Sequence, residues 1–130
     1  ELLHHIGRHL RRVARQHFQP YGLTPAQVRA LRTVAAAESP LRMSTLAEQL
    51  GVVRRSATDL VEVLVAAGMV ERHADPSDGR AVVVAATPVG NDLLTTIAAA
   101  RTRASTELLR PLSPTERQQL TTLLRRMVDA

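Results

Sequence analysis

The sequence predicts a mainly α-helical chain with one small β-hairpin, a winged helix-turn-helix flanked by a helix at either end. Three observations carry this. Apolar residues recur at spacings of three and four through most of the chain, capping signals precede several of those stretches, and only residues 69–85 switch to an extended, valine-rich pattern around a proline, aspartate and glycine turn. At 130 residues the chain fits one domain with its own apolar core.

Leu3, Ile6, Leu10, Val13, Ala14 and Phe18 fall on one face of a first helix, with Arg8, Arg11, Arg12 and Arg15 largely between them. Pro20 and Gly22 end it. Thr24-Pro25-Ala26-Gln27 then supplies an N-cap, a proline at the first helical position and a glutamine that reaches back, opening a second helix that buries Val28, Leu31 and Val34.

Ser39-Pro40 stops that helix, and a brief extended piece, Leu41-Arg42-Met43, follows. Ser44 is placed to cap a short helix carrying Leu46, Ala47 and Leu50. Gly51 ends it, and a further helix with Ala57, Leu60, Val61 and Leu64 on one face runs to Gly68. Two helices joined by a tight glycine turn make a helix-turn-helix. Met69 to Arg72, the turn Asp75-Pro76-Ser77-Asp78-Gly79-Arg80 and the return strand Ala81 to Ala85 then form a wing.

Thr87-Pro88 starts a long helix with Leu94, Ile97, Ala104 and Leu108 at broadly helical spacing. Ser113-Pro114-Thr115-Glu116 is a second capping box, and it opens a last helix with Leu120, Leu123, Leu124 and Met127 on one side. Both chain ends therefore carry more apolar surface than the small central lobe can cover, which predicts a homodimer. The expected division is 24–87 for the winged helix-turn-helix lobe, with 1–22 and 89–130 as dimerisation helices.

All 17 basic residues are arginine and the net charge is +5, so the positive charge sits on forked donors suited to phosphates and guanine edges. With one Phe, one Tyr and no Trp, the chain lacks the stacking platforms of single-strand binders, and double-stranded DNA is the better partner. The absence of cysteine excludes disulfides and thiolate metal sites. No apolar run approaches the roughly 20 residues of a membrane span and no secretory pattern opens the chain, so no membrane partner and a cytoplasmic location are expected. No nucleophile elbow, phosphate-cradling glycine loop or acid pair with a base appears, so neither an enzyme nor a cofactor is expected.

The order of elements resembles the multiple-antibiotic-resistance regulator (MarR) family across essentially the whole chain. The strings that carry the resemblance are Leu46-Ala47-Glu48-Gln49-Leu50-Gly51-Val52, Leu64 to Arg72, Asp75 to Arg80, and Thr87-Pro88-Val89-Gly90. The resemblance implies a homodimer whose terminal helices interlock and whose two winged lobes meet one palindromic duplex. It further implies repression relieved by a small aromatic or anionic effector bound between the dimer helices and the DNA-binding lobe. Two positions depart from the family pattern. Val53 stands where a serine or threonine usually caps the recognition helix, and Asp59 where a neutral or basic residue is usual.

With Ala57, Leu60, Val61 and Leu64 facing inward, a rotation of about 100° per residue turns Arg55, Asp59 and Glu62 outward, with Ser56 and Thr58 beside them. Arg55 is the candidate for a forked guanine contact, Ser56 and Thr58 for a phosphate or base edge, and Arg54, nearer the buried side, for phosphate. Asp59 is expected to pair with Arg55, four residues earlier, with a cytosine contact as the alternative. Ser44 at the start of the motif completes the set on the helices, and Arg72 flanks the groove from the wing. Asp78 and Gly79 form the wing tip, which aims Arg80 at a narrow minor groove.

His17, Phe18 and Tyr21 are candidates to border an effector pocket, against simple packing at the end of the first helix. His4, His5 and His9 have few carboxylates nearby and read as a polar helix face, not a metal site. The competing function is a winged-helix protein-interaction module that binds no specific DNA. A sequence-indifferent architectural protein would need apolar wedges on the wing, and none is evident there.

Overall fold

The computed structural model describes residues 1–130. Its helices are α1 (Leu2–Phe18), α2 (Pro25–Ala36), α3 (Met43–Leu50), α4 (Arg54–Ala66), α5 (Pro88–Leu109) and α6 (Pro114–Val128). The strands β1 (Leu41–Arg42), β2 (Val70–Asp75) and β3 (Asp78–Ala86) form one antiparallel sheet in the order β1-β3-β2. This is the mainly α architecture with a hairpin wing that the sequence predicts.

Both predicted capping boxes are made. Thr24 Oγ1 accepts from the Gln27 backbone at 3.2 Å while Gln27 Oε1 accepts from the Thr24 backbone at 2.9 Å. Ser113 and Glu116 repeat the exchange at 3.2 and 2.8 Å. The capping role expected of Ser44 is not borne out: the cap lies two residues earlier, at Arg42, and no side chain bonds to that end. The extended backbone of Arg42 belongs to β1, so the strand runs straight into the helix and leaves no separate capping residue. After α1 a single 3-10 turn, Gln19–Tyr21, precedes the left-handed Gly22.

The central core is one cluster in which Leu31, Leu46, Ala57, Val61, Leu64 and Val84 are wholly buried. It fixes the helix-turn-helix: α2 packs on both α3 and α4, and Gly51 turns the chain between them at φ 68. That left-handed conformation is one a side chain disfavours. On α5 the buried stripe is Leu93, Ile97, Ala100 and Ala104. The sequence reading placed Leu94 and Leu108 in it, yet Leu94 is half-buried and Leu108 exposed. Alanine-rich turns give the helix little hydrophobic contrast, so its phase is poorly marked.

The start of α5 is clamped to the end of α4. Thr87 Oγ1 accepts from the Gly90 backbone at 3.1 Å and donates to the Gly68 carbonyl at 2.6 Å, while the Thr87 backbone donates to the Met69 carbonyl at 3.0 Å. The long helix is thereby fixed to the lobe that carries the wing. At the other end, α6 has no buried residue. No helix is long and apolar enough to cross a membrane.

Candidate nucleic-acid interface

Helix α4 begins at Arg54 with Val53 as an N-cap that offers no side-chain acceptor. A missing cap costs about 1 kcal/mol and leaves the first backbone N–H groups free for an outside acceptor. Val53, Arg54, Arg55, Ser56 and Asp59 are exposed around that end, whereas Ala57, Val61 and Leu64 are buried, as the expected rotation requires. Arg54 and Arg55 are both exposed at the start of the helix. Thr58 is half-buried, and its hydroxyl donates to the Arg54 carbonyl at 3.0 Å.

The expected pairing of Asp59 with Arg55 is absent. The ion pairs of the molecule are Arg42–Asp75, Arg72–Glu62 and Arg110–Glu107, and His73 Nε2 lies 3.6 Å from Glu71 Oε2. With the acid C-terminal to the arginine, the orientation is the less favourable one on a helix. The Arg55 guanidinium is consequently unengaged. Arg72, expected beside the groove, instead holds Glu62 of α4 at 2.7 Å. Both side chains are well exposed, so the pair contributes little stability, but it ties β2 to the recognition helix.

The hairpin turns more tightly than expected: β2 runs through Asp75 and β3 starts at Asp78, so Pro76-Ser77 forms the tip. Asp78, Gly79 and Arg80, expected in the turn, already belong to the return strand. A register shift follows Ala74, and the Arg80 backbone donates to Asp78 Oδ1 at 3.1 Å. The Arg80 side chain is exposed and joins no ion pair, and Ser44 is exposed at the start of α3.

Asp75 and Arg42 position the wing and were not among the predicted site residues. The buried Asp75 carboxylate accepts from the Ser77 backbone at 2.9 Å, from the Ser77 hydroxyl at 2.8 Å and from Arg42 Nε at 2.7 Å. It joins the wing tip to the residue that starts α3. The aspartate two residues before a serine was a readable signal for the local half of this cluster. The 33-residue separation of Arg42 from Asp75 hid the other half.

The Ser77 backbone and hydroxyl, and then Arg42, hold the Asp75 carboxyl below its ordinary value. A depressed carboxylate stabilises the folded wing above the usual carboxylate range of about 4, and that contribution fades as pH falls through the lowered value. Amide exchange in the hairpin should therefore quicken at acid pH, beyond the intrinsic pH dependence of exchange. Asp75→Asn should be quick already at neutral pH and should lack the acid-dependent increment. An unchanged hairpin in Asp75→Asn at neutral pH would remove this anchor from the account.

The sequence pattern of the MarR family matches residues 21–81, from the 3-10 turn after α1 into β3. Over that stretch the chain is similar to the winged helix-turn-helix of the MarR family. The crystal structure of MarR superposes with a TM-score of 0.72 at 25% identity, covering 98% of this chain and 93% of that one. The transcriptional regulator Tm0710 from Thermotoga maritima gives 0.79 at 26% identity, covering 98% and 89%. The MepR–DNA complex from S. aureus gives 0.85 at 21% identity, covering 98% and 96%, a likeness of fold in which that protein is seen on DNA. A search of curated proteins finds no match. The fold is that of a MarR-family transcriptional regulator, and the family match spans α2 to α4 and most of the wing, where the outward arginines stand.

Proposed function

We propose that this chain is a sequence-specific, double-stranded DNA-binding repressor that meets a palindromic operator as a homodimer and is released by a small effector. The observation that carries the reading is the outward N-terminal half of α4, where Arg54 and Arg55 are exposed and free of ion pairs. In this reading Arg55 reads a guanine, Arg54, Ser56, Thr58 and Ser44 contact phosphate or base edges, and Arg80 enters the minor groove. Asp59, unpaired, faces the groove as an acceptor for cytosine N4. Arg72 acts through Glu62, holding the wing against α4.

Competition tests the function: the labelled cognate duplex should stay bound in excess random duplex at physiological salt, since specific sites bind about 10³-fold or more tighter. Equal competition would favour the protein-interaction module.

The dimer reading assigns 1–22 and 89–130 to association and 24–87 to DNA. Its support is unpartnered apolar surface at both chain ends: Leu2, Leu3 and Ile6 on α1, and Leu123, Met127 and Val128 on α6, are all exposed. Sedimentation at micromolar concentration should give the mass of two chains. A folded monomer across that range that still binds a palindrome tightly would overturn it.

For the effector we infer the groove where α1 meets α5, a cavity of about 490 Å³ lined by His17, Tyr21, Met69, Val89 and Leu93 among others. Its size and the Tyr21, Met69, Val89 and Leu93 walls suit a small aromatic molecule, whereas Asp92 in the lining disfavours an anionic one. Phe18, grouped with His17 and Tyr21 in the sequence reading, does not line it and is buried in the core.

A further inference from the structure

The arginines between β1 and β3 divide into two kinds. Arg54, Arg55 and Arg80 are exposed and join no ion pair, whereas Asp75 holds Arg42 and Glu62 holds Arg72. The first of these pairs belongs to the wing tip, where the same buried carboxylate also binds Ser77. The second has no such setting. Arg72 Nη1 lies 2.7 Å from Glu62 Oε1, with the two side chains 40% and 53% exposed. A pair that open to solvent adds little to stability, so stability does not explain it.

Its position does. Glu62 is exposed on the face of α4 that carries Arg55 and Asp59, while Val61 and Leu64 beside it are buried. An unpaired carboxylate on that face repels the phosphates that flank a groove. An unpaired guanidinium at the root of the wing attracts them, whatever the base sequence. Held together, the two charges cancel. No second acid pairs with Arg72, so its neutralisation depends on Glu62 alone.

We propose that Glu62 is a specificity-determining residue: by neutralising Arg72 it withholds a sequence-indifferent phosphate contact and leaves duplex binding to the free arginines. The proposal rests on the DNA-binding reading above. On a random duplex, a freed Arg72 adds attraction in any register. On the preferred site the same gain is offset, because β2 is no longer tied to α4 and the wing loses its register on the groove. Loss of the Glu62 charge therefore narrows the gap between preferred and random DNA while strengthening the latter.

The test compares wild type, E62Q, R72Q and E62Q/R72Q on a random-sequence duplex and on the duplex that wild type selects from a random pool, between about 0.05 and 0.2 M salt. E62Q should bind the random duplex tighter at low salt, with a log–log salt slope steeper by about 0.9 for each lobe on the DNA, one added phosphate contact. Over that salt range the steeper slope amounts to a further loss of about three- to fourfold per lobe. The preference of E62Q for the selected duplex should fall. R72Q, which leaves Glu62 bare, should weaken binding, and E62Q/R72Q should return close to wild type. A merely structural tie predicts that all three variants weaken binding alike, and that result would overturn the proposal. So would equal steepening in E107Q, which opens the exposed Arg110–Glu107 pair near the end of α5 and removes the same charge. Melting curves establish that the variants fold, and Glu62→Ala, expected to steepen the slope likewise, serves if E62Q does not. If wild type binds DNA and loss of the Glu62 charge leaves the slope unchanged, the proposal fails and the DNA-binding reading stands. If wild type binds no duplex, both fall.

Discussion

Arg55→Ala is expected to weaken binding to the best DNA site by about 1–3 kcal/mol and to relax base preference at one base pair in each half-site. The expectation rests on an exposed guanidinium at the start of α4 that no acid engages, since Asp59 leaves it free and Glu62 is taken by Arg72. A bidentate guanine contact carries sequence information, so its loss should alter the preference profile as well as the affinity. Arg80→Ala should behave differently. From the wing it senses groove width, so its removal should weaken all sites and reduce the preference for A·T-rich flanks. Both variants should show a smaller salt dependence, because either arginine displaces counterions near phosphate, and only base-preference profiles separate them. If Arg55→Ala lowers affinity evenly and leaves every base position unchanged, Arg55 is a phosphate anchor and the outward face of α4 has been assigned wrongly.

Gly90→Ala is expected to destabilise the fold by about 3 kcal/mol, the upper end for overpacking a core. A Cβ at Gly90 would overlap the Met69 backbone carbonyl oxygen and press on Leu31 Cδ1 at 3.0 Å. The first obstacle is main chain and the second is a wholly buried side chain, so neither yields easily. The Met69 carbonyl also accepts from the Thr87 backbone, so a shift there would disturb the clamp between α4 and α5. Gly79→Ala provides the contrast. Nothing lies within 4 Å of a Cβ there and its φ is not positive, so the change should stay within about 0.5 kcal/mol. Thermal or urea unfolding compares the two, and equal midpoints would mean that α5 does not approach the Met69 backbone as closely as described.

What could be read from the sequence was what local chemistry determines. The capping boxes at Thr24 and Ser113 act over three residues and are made as expected. The inward face of α4 followed from spacing alone, because Ala57, Val61 and Leu64 contrast sharply with the polar residues between them. The wing was visible as a change of period, although its tip tightened to Pro76-Ser77 once Asp75 folded back on Ser77. What stayed hidden depends on residues far apart in the chain. Arg42 with Asp75, and Glu62 with Arg72, meet only through tertiary packing. On α5, the run of small residues around Ala98, Ala99 and Ala100 gave too little contrast to choose Leu93 over Leu94. The role of Gly90 was equally invisible as physics, since only the approach of Met69 explains why no side chain fits there.

Selection of bound duplexes from a random-sequence pool tests the central claim most directly, because site, symmetry and spacing emerge together. The account predicts enrichment of one two-fold symmetric sequence whose half-sites are centred about 10 bp apart, as paired recognition helices on one face of DNA require. A pool that stays random after repeated rounds, or that converges on a single asymmetric half-site, would contradict it.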